Sequence, residues 1–373
     1  MSVRYLLKEG YLRLRGMFMG LLFKPGKPTQ IQPDQIRSIT MIRVDRIGDM
    51  VASLPAIRSL KAVFPAAQLT VVAPASILPL LKNTPGIDRL LAYRGFWLTI
   101  RALRKERFSL MVDPLMDYTL KTALIAFFSR SGLTAGFDIA GRGRIFNIAL
   151  KPEPGGKKMH EYLLDLIRAI AVLARRDSGF PADALPRIFL SEEDKVFAAD
   201  LIKSAGINEG ELVVGIAAGG KFPSQRWDIK NFAILAQRVS DKHKARIVLI
   251  GSAQERGSVE GLASLSALRP VLAVGLPLNK LAALISKMDL LICNNSGPLH
   301  IAAALGVPTV STMGPTAPHL WHPAGERNIV IRRDLACSPC NKAACSRHEC
   351  MGLITVKEME DAAGVLIGKA GKL

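Results

Sequence analysis

Three short turns rich in glycine and charge, each following an apolar run, hold the residues of this 373-residue chain best suited to chemistry. The first is Arg43-Val44-Asp45-Arg46-Ile47-Gly48-Asp49-Met50. Gly48 permits a tight turn, and Asp49 falls where a helical pattern begins. There a carboxylate serves either as a helix cap or as a general base that takes a proton from a hydroxyl. The second turn, AAGGKFPSQRW, runs from Ala217 to Trp227. Its adjacent Gly219 and Gly220 let backbone amides approach a phosphate, and Lys221 and Arg226 supply positive charge; the plain alternative is an ordinary strand-to-helix turn. The third, Asn294-Asn295-Ser296-Gly297-Pro298-Leu299-His300, exposes the amides of Ser296 and Gly297 at a helix start, with Pro298 at an early position where it is tolerated. That is a seat for a diphosphate. His300 is either a phosphate or sugar contact or a buried structural histidine. Gly314-Pro315-Thr316 closes the following strand. A fourth cluster, Cys337-x2-Cys340-x4-Cys345-x4-Cys350, fits a structural zinc knot, disulfides or a packed group of free thiols, and nothing in its spacing puts it at a reaction centre.

These turns need a scaffold that brings strand ends together. Short β-rich runs alternate with helical patterns from Ile36 to about Phe137: strands at 38–44, 69–72, 90–93 and 110–112, helices at 51–63, 77–82 and 97–104. Alternation with short connections implies a parallel sheet with helices on both faces. Residues 142–158, rich in Gly, Pro and basic side chains, read as a long loop, and a helix follows over 161–173. The pattern restarts near Glu211, with strands at 212–216, 246–250, 271–274, 289–293 and 309–312 and helices at 229–239, 278–286 and 300–305. The expected organisation is an N-terminal extension 1–35, a Rossmann-like domain 36–185 for the acceptor, a second Rossmann-like domain 186–350 for the nucleotide and carrying the cysteine cluster, and a C-terminal helix 351–373. The fold class is α/β: two Rossmann-like domains facing across a cleft, the GT-B plan.

Charge narrows the partners. Fifty Lys and Arg against thirty-one Asp and Glu leave +19, which suits phosphates, anionic lipid or nucleic acid. Aromatic content of 6% and the lack of any recognisable motif argue against nucleic acid. The missing GxGxxG argues against a dinucleotide oxidoreductase. Residues 1–27 place Leu7, Tyr11, Leu14, Phe18, Leu21 and Leu22 on one helical face, with Arg4, Lys8 and Arg15 along its edge. Such a helix either lies in a membrane interface or packs on the first domain. No secretory leader is visible and no apolar run is long enough to span a bilayer, so the expected location is cytoplasmic, peripheral on the inner face of the membrane.

Taken in order, IRVDRIGDMVASLPAIRSLKAVFP, AAGGKFPSQRW and CNNSGPLHIAAALGVPTVSTMGPT resemble the family 9 glycosyltransferases, the bacterial heptosyltransferases; CSPCNKAACSRHEC is similar to a segment of some members. The resemblance covers roughly residues 36–365. It implies an inverting enzyme that uses an ADP-heptose co-substrate, a lipopolysaccharide-core or similar anionic glycolipid acceptor, and no catalytic metal or other cofactor. By motif it makes Asp49 the general base, with Arg43, Arg46 and Gly48 on the acceptor side. Gly219, Gly220, Lys221, Arg226, Asn295, Ser296, Gly297 and His300 then hold the donor, Glu255 its ribose, and Gly275, Leu276 and Leu278 its adenine. Two positions depart from the family: Gln225 where many members carry lysine, and Asn295 where many carry aspartate. They leave two rivals standing, a same-fold transferase for another nucleotide sugar and a non-catalytic nucleotide binder.

Overall fold

The computed structural model describes residues 3–177 and 185–369, the side chains of residues 3–9 and 13 excepted. The edge formed by Arg4 and Lys8, the stretch 178–184 and the last four residues therefore lie outside the described residues. The chain forms two compact units, Met1–Ala184 and Leu185–Leu373. The N-terminal extension belongs to the first and the C-terminal helix to the second.

In the first unit α1 (Val3–Leu22) precedes β1 (Ser38–Ile42), α2 (Ile47–Val63), β2 (Gln68–Ala73), α3 (Leu78–Leu81), β3 (Arg89–Ala92) and α4 (Phe96–Glu106). Then come β4 (Leu110–Asp113), α5 (Lys121–Ser129), β5 (Leu133–Phe137), β6 (Ile148–Leu150) and α6 (Met159–Leu173). All six strands are parallel, in the order β3-β2-β1-β4-β5-β6. Strands sealed on both faces read as near-continuous apolar runs, which is why Ile39, Met41, Ile42, Leu69, Val71, Val72, Leu110 and Met111 are completely buried. On one face Ile42, Val72 and Met111 pack under Ile100 and Leu103 of α4, Ala123, Ile125 and Ala126 of α5, and Met19 of α1. The other face is covered by α2 and α6, which run against each other.

The second unit repeats the plan: α7 (Glu192–Ser204), β7 (Val213–Ala217), α8 (Ile229–His243), β8 (Arg246–Gly251), α9 (Arg256–Ser264), β9 (Val271–Val274) and α10 (Leu278–Ile285). They are followed by β10 (Leu290–Asn294), α11 (Gly297–Ala304), β11 (Thr309–Thr312), α12 (Pro318–Trp321), β12 (Asn328–Ile331), α13 (Glu349–Gly352) and α14 (Val356–Lys369). The sheet order is β12-β11-β10-β7-β8-β9, again all parallel. Ser191 caps α7 by accepting the Asp194 amide at 3.1 Å, and Asp228 caps α8 through the Lys230 amide at 2.9 Å. Met359, Ala363 and Ile367 of α14 close the core beside Phe232 and Leu235 of α8.

Two expectations need correction. Residues 142–158 are not one loop: a single helical turn at Arg142–Arg144 and the strand β6 interrupt them. Helices α5, α7, α9, α12 and α13 and strands β5, β6 and β12 were not anticipated. KTALIAFFS is apolar almost all round, so it has no stripe to read, while β6 and β12 are only three and four residues long. Of the two readings left open for residues 1–27, packing is seen: α1 rests on its own unit. Met19 is buried, Phe23 meets Phe127 edge-on at 4.8 Å, and Gly16 lies so close to Gly141 that a Cβ built on Gly141 would fall 2.5 Å from the Gly16 Cα.

Candidate active site

In both sheets the strand order reverses once, between β1 and β4 and between β7 and β10, and a crevice at the carboxyl ends is the usual ligand position at such a point. In the first unit Arg43 leaves β1 at that point with a side chain only 2% exposed. Its guanidinium donates from Nη1 to the Pro114 carbonyl at 2.8 Å, across the switch to β4. Nε lies 3.1 Å from an Asp45 oxygen and Nη2 3.1 Å from Asp49 Oδ1. One buried cation thus serves two carboxylates. Burial lifts the Asp45 carboxyl to about 6, against the pull of Arg43 and with the push of Asp49 and Asp113. Asp49 is not the helix cap: Arg46 holds that position and Asp49 sits in the first turn of α2, bonded to Arg43 through its side chain. Gly48 is buried in the same turn, and Arg46 is exposed.

The loop after β4 is held by a second buried arginine. Arg142 pairs with Asp113 at 2.5 Å, both fully buried, and donates to the carbonyls of Leu115 and, at 3.1 Å, Asp117. Arg15 of α1 grips the same region, donating to the Tyr118 carbonyl at 2.8 Å and twice to that of Ala140. Asp113, Arg15 and this bracing role of Arg142 did not stand out in the sequence as part of the site, because the partners lie far apart along the chain.

In the second unit Asn294, at the end of β10 and completely buried, ties three turns together. Its Oδ1 accepts the Trp227 amide at 3.0 Å and the Thr312 hydroxyl at 2.8 Å, and its Nδ2 donates to the carbonyls of Ala218 at 2.7 Å and Gly219 at 3.1 Å. Glu255 clasps the glycine turn from β8: Oε1 accepts the Gly220 amide at 3.2 Å and Oε2 the Ser252 amide at 2.9 Å. Arg226 donates to the Gly220 carbonyl at 2.8 Å, and Lys221 is exposed with its ammonium 5.5 Å from the Phe222 ring. Gly219, Gly220, Arg226 and Glu255 are therefore brought together, and a cavity of about 320 Å³ opens beside Gly219, Arg226 and Glu255.

Ser296 is the residue before α11 and its hydroxyl turns back to the Asn294 carbonyl at 3.3 Å, leaving the first amides of the helix uncapped by that side chain. Asn295 is almost buried, its amide on the Thr312 carbonyl at 3.1 Å. His300 packs edge-on to Trp321 at 5.7 Å, and burial pushes its imidazole down to about 4, so it is neutral at physiological pH. Gly275, at φ 75°, donates its amide to Gly251 next to the Glu255 turn, with Leu276 and Leu278 half-buried beyond it. Gln225 donates to the Thr316 hydroxyl at 3.1 Å, which joins the second turn to the one after β11.

The cysteine segment lies against these turns. Ser224 donates to the Lys342 carbonyl at 2.5 Å, the His348 ring bonds the Ser224 carbonyl at 2.9 Å, and Ser338 donates to the Gly314 carbonyl at 2.7 Å. All four thiols are free; Cys350 is buried, and burial together with its neighbours Cys340, Cys337 and Cys345 pushes its thiol up. Among the described residues no group of three or more His, Cys, Asp or Glu side chains is arranged to hold a metal ion. The segment acts as a wedge that fixes the backbone of 222–226 and 314–316.

Two doubly wound sheets of one strand order, each with charged, glycine-containing turns at its strand ends, form the two-domain α/β fold of GT-B glycosyltransferases. The model of "Glycosyltransferase family 9 (heptosyltransferase)" matches residues 97–351, more than half of the chain, and the protein belongs to that family as a glycosyltransferase enzyme. It is 27% identical over 311 residues to the lipopolysaccharide heptosyltransferase 2 of Escherichia coli, covering 79% of this chain and 87% of that one. The lipooligosaccharide heptosyltransferase 2 of Haemophilus influenzae is 29% identical over 316 residues, with 79% and 88% covered. Among solved structures, the E. coli ADP-heptose heptosyltransferase II superposes with a TM-score of 0.72 at 23% identity, covering 89% and 99%. A family 9 glycosyl transferase from Veillonella parvula gives 0.76 at 20%, covering 92% and 100%. At those identities the structural matches speak for the fold.

Proposed function

We propose that the protein transfers heptose from ADP-heptose to the core of a lipopolysaccharide or similar anionic glycolipid, with inversion at the sugar carbon and without a catalytic metal. The observation that carries this is Asp49, held by a buried arginine at the switch point of the first sheet, in a chain whose second sheet gathers Gly219, Gly220, Glu255 and the Ser296-Gly297 turn at its own strand ends. In the reaction the acceptor hydroxyl loses its proton to Asp49 as its oxygen bonds to the anomeric carbon, and the bond from that carbon to the diphosphate oxygen breaks. The ADP leaves against the amides of Ser296 and Gly297 and a cation from Lys221 or Arg226. His300, neutral through burial, offers a hydrogen bond rather than a charge. Glu255 takes the ribose and the Gly275–Leu278 turn the adenine. Arg43 orients Asp49, and Arg46 and Gly48 line the acceptor side.

The same proposal puts the enzyme on the inner face of the cytoplasmic membrane through residues 1–27. Among the described residues no helix is long and apolar enough to cross a bilayer. Yet α1 carries Tyr11, Leu14, Met17, Phe18, Leu21 and Leu22 well exposed, while Met19 is buried in the unit. Helical spacing puts these six on the arc away from Gly16, Met19 and Gly20, so the helix is apolar on both sides. A surface of that kind fits an interfacial helix.

Transfer of heptose from ADP-heptose, with UDP-glucose as the control donor, tests the donor. Asp49→Asn tests the base: turnover is expected to fall about a hundredfold or more, and near-normal turnover in a folded variant would refute the assignment. A different nucleotide sugar is the second reading. It is favoured by Gln225, whose amide is spent on Thr316 and offers no charge, and by Asn295, and transfer from UDP-glucose alone would select it.

A further inference from the structure

A concavity of the first unit lies at the opposite end of its sheet from Asp49. A cavity of about 860 Å³ is lined by the segment from Pro28 to Ile36, by Ser109 and Gly132 at the amino ends of β4 and β5, and by Arg104, Arg107 and Arg130. Residues at the amino ends of strands of four or five residues stand roughly 10–16 Å from those at the carboxyl ends. The cavity is therefore separate from the acceptor side of the reaction.

Its chemistry is one-sided. Arg104, Arg107 and Arg130 with Gln30, Gln32 and Gln35 line it, and no Asp or Glu does. Arg104 spends its Nε on the Phe128 carbonyl at 2.6 Å and keeps its remaining donors. Among the described residues the side chains of Arg107 and Arg130 make no hydrogen bond or ion pair. The acids nearest in sequence are directed elsewhere: Glu106 pairs with Arg89 at 2.8 Å, and Asp34 faces Arg176 at 4.0 Å. Arg107 and Arg130 end α4 and α5 in the left-handed conformation, at φ 50° and 58°, where glycine or asparagine is the unstrained choice. A cation at a helix C-terminus offsets the helix dipole, and that accounts for the sign of one such residue. It does not account for three arginines lining one volume that no acid lines. Arg104 also lines an adjoining depression with Trp97, Arg101 and Lys105, where Trp97 is 72% exposed, so the positive surface continues along α4.

We propose that this cavity is a binding site for a phosphate-bearing ligand, held by Arg104, Arg107 and Arg130 with the glutamine amides completing its shell. The chemistry is shared by an anionic phospholipid headgroup and by a soluble phosphate, and the site stands whether or not heptose is the sugar transferred. The test uses the full chain and the variant Arg107→Asn/Arg130→Asn. Asparagine accepts the left-handed backbone, so the variant keeps its fold, checked by an unchanged or raised melting temperature. Two probes are titrated with ADP present in excess: inorganic phosphate, and vesicles of phosphatidylcholine with and without phosphatidylglycerol. Loss of about tenfold or more in affinity for the phosphatidylglycerol vesicles, one charge-assisted bond's worth, supports the site with a lipid headgroup as its ligand. Loss of phosphate binding with vesicle binding unchanged supports it with a soluble ligand. Equal behaviour of variant and wild type toward both probes, or no binding of either by the wild type, overturns it.

Discussion

Replacing Arg142 by methionine isolates the brace beneath the acceptor-side loop. The wild-type guanidinium and the Asp113 carboxylate are both inaccessible to solvent and 2.5 Å apart, and the arginine also holds the carbonyls of Leu115 and Asp117. Methionine fills a similar volume next to Phe146 but leaves the Asp113 carboxyl in the core without its guanidinium partner. Breaking a buried pair from one side costs about 3–5 kcal/mol. For a unit of this length each kcal/mol lowers the melting temperature by ~2–4 °C, so the transition of the first unit should drop by about 6–20 °C. Adding Asp113→Asn removes the stranded carboxyl, and the double variant should recover at least about 1 kcal/mol relative to the sum of the singles. Urea and thermal unfolding of the wild type, both singles and the double give the complete cycle. An Arg142→Met protein within about 1 kcal/mol of wild type, or strictly additive singles, would refute the argument that this pair holds the loop.

Two further outcomes follow from the same geometry. Burial holds the Asp45 carboxyl at about 6, above its ordinary 3.8, so the folded chain keeps a proton that the unfolded chain gives up earlier. The resulting stabilisation is complete below about pH 4 and is lost as pH rises through about 6; Asp45→Asn should remove that fall, and parallel urea-unfolding profiles from pH 4 to 8 would show the carboxyl to be ordinary. At Gly219 a Cβ would sit 2.1 Å from Glu255 Oε1, so Gly219→Ala must push the carboxylate off the Gly220 amide. Donor KM should rise about tenfold, the value of one hydrogen bond to a charged group, with acceptor KM unchanged, and steady-state kinetics showing an unaltered donor KM would separate Glu255 from donor binding.

Much of the scaffold was legible because parallel strands covered on both faces are written as plain apolar runs: 271–274 and 309–312 agree with the structure to the residue, and most other strands to within two. The three turns were legible for the same reason, since each punctuates such a run. What escaped were side chains whose roles depend on partners distant in sequence. Asn294 is an unremarked amide until β7 and β11 flank it, when all its hydrogen-bonding capacity is spent on Ala218, Gly219, Trp227 and Thr312. Ser224 and Lys342 meet over 118 residues, and only that contact reveals the cysteine segment as a support for the glycine turn. Helix α5 escaped for the opposite reason: its apolar residues surround it, and periodicity has nothing to register.

The grip of Arg15 on its unit has a consequence during synthesis. Its acceptors, the carbonyls of Tyr118 and Ala140, lie 103 and 125 residues further along the chain. At roughly 5–20 residues per second the ribosome needs about 5–25 s to make them after Arg15 has been added. For that interval α1 has no docking surface of its own, and both of its apolar sides face outward. An element made more than a hundred residues before its acceptors thus finds its seat late, and a lipid surface or a chaperone has those seconds in which to reach it before the fold does.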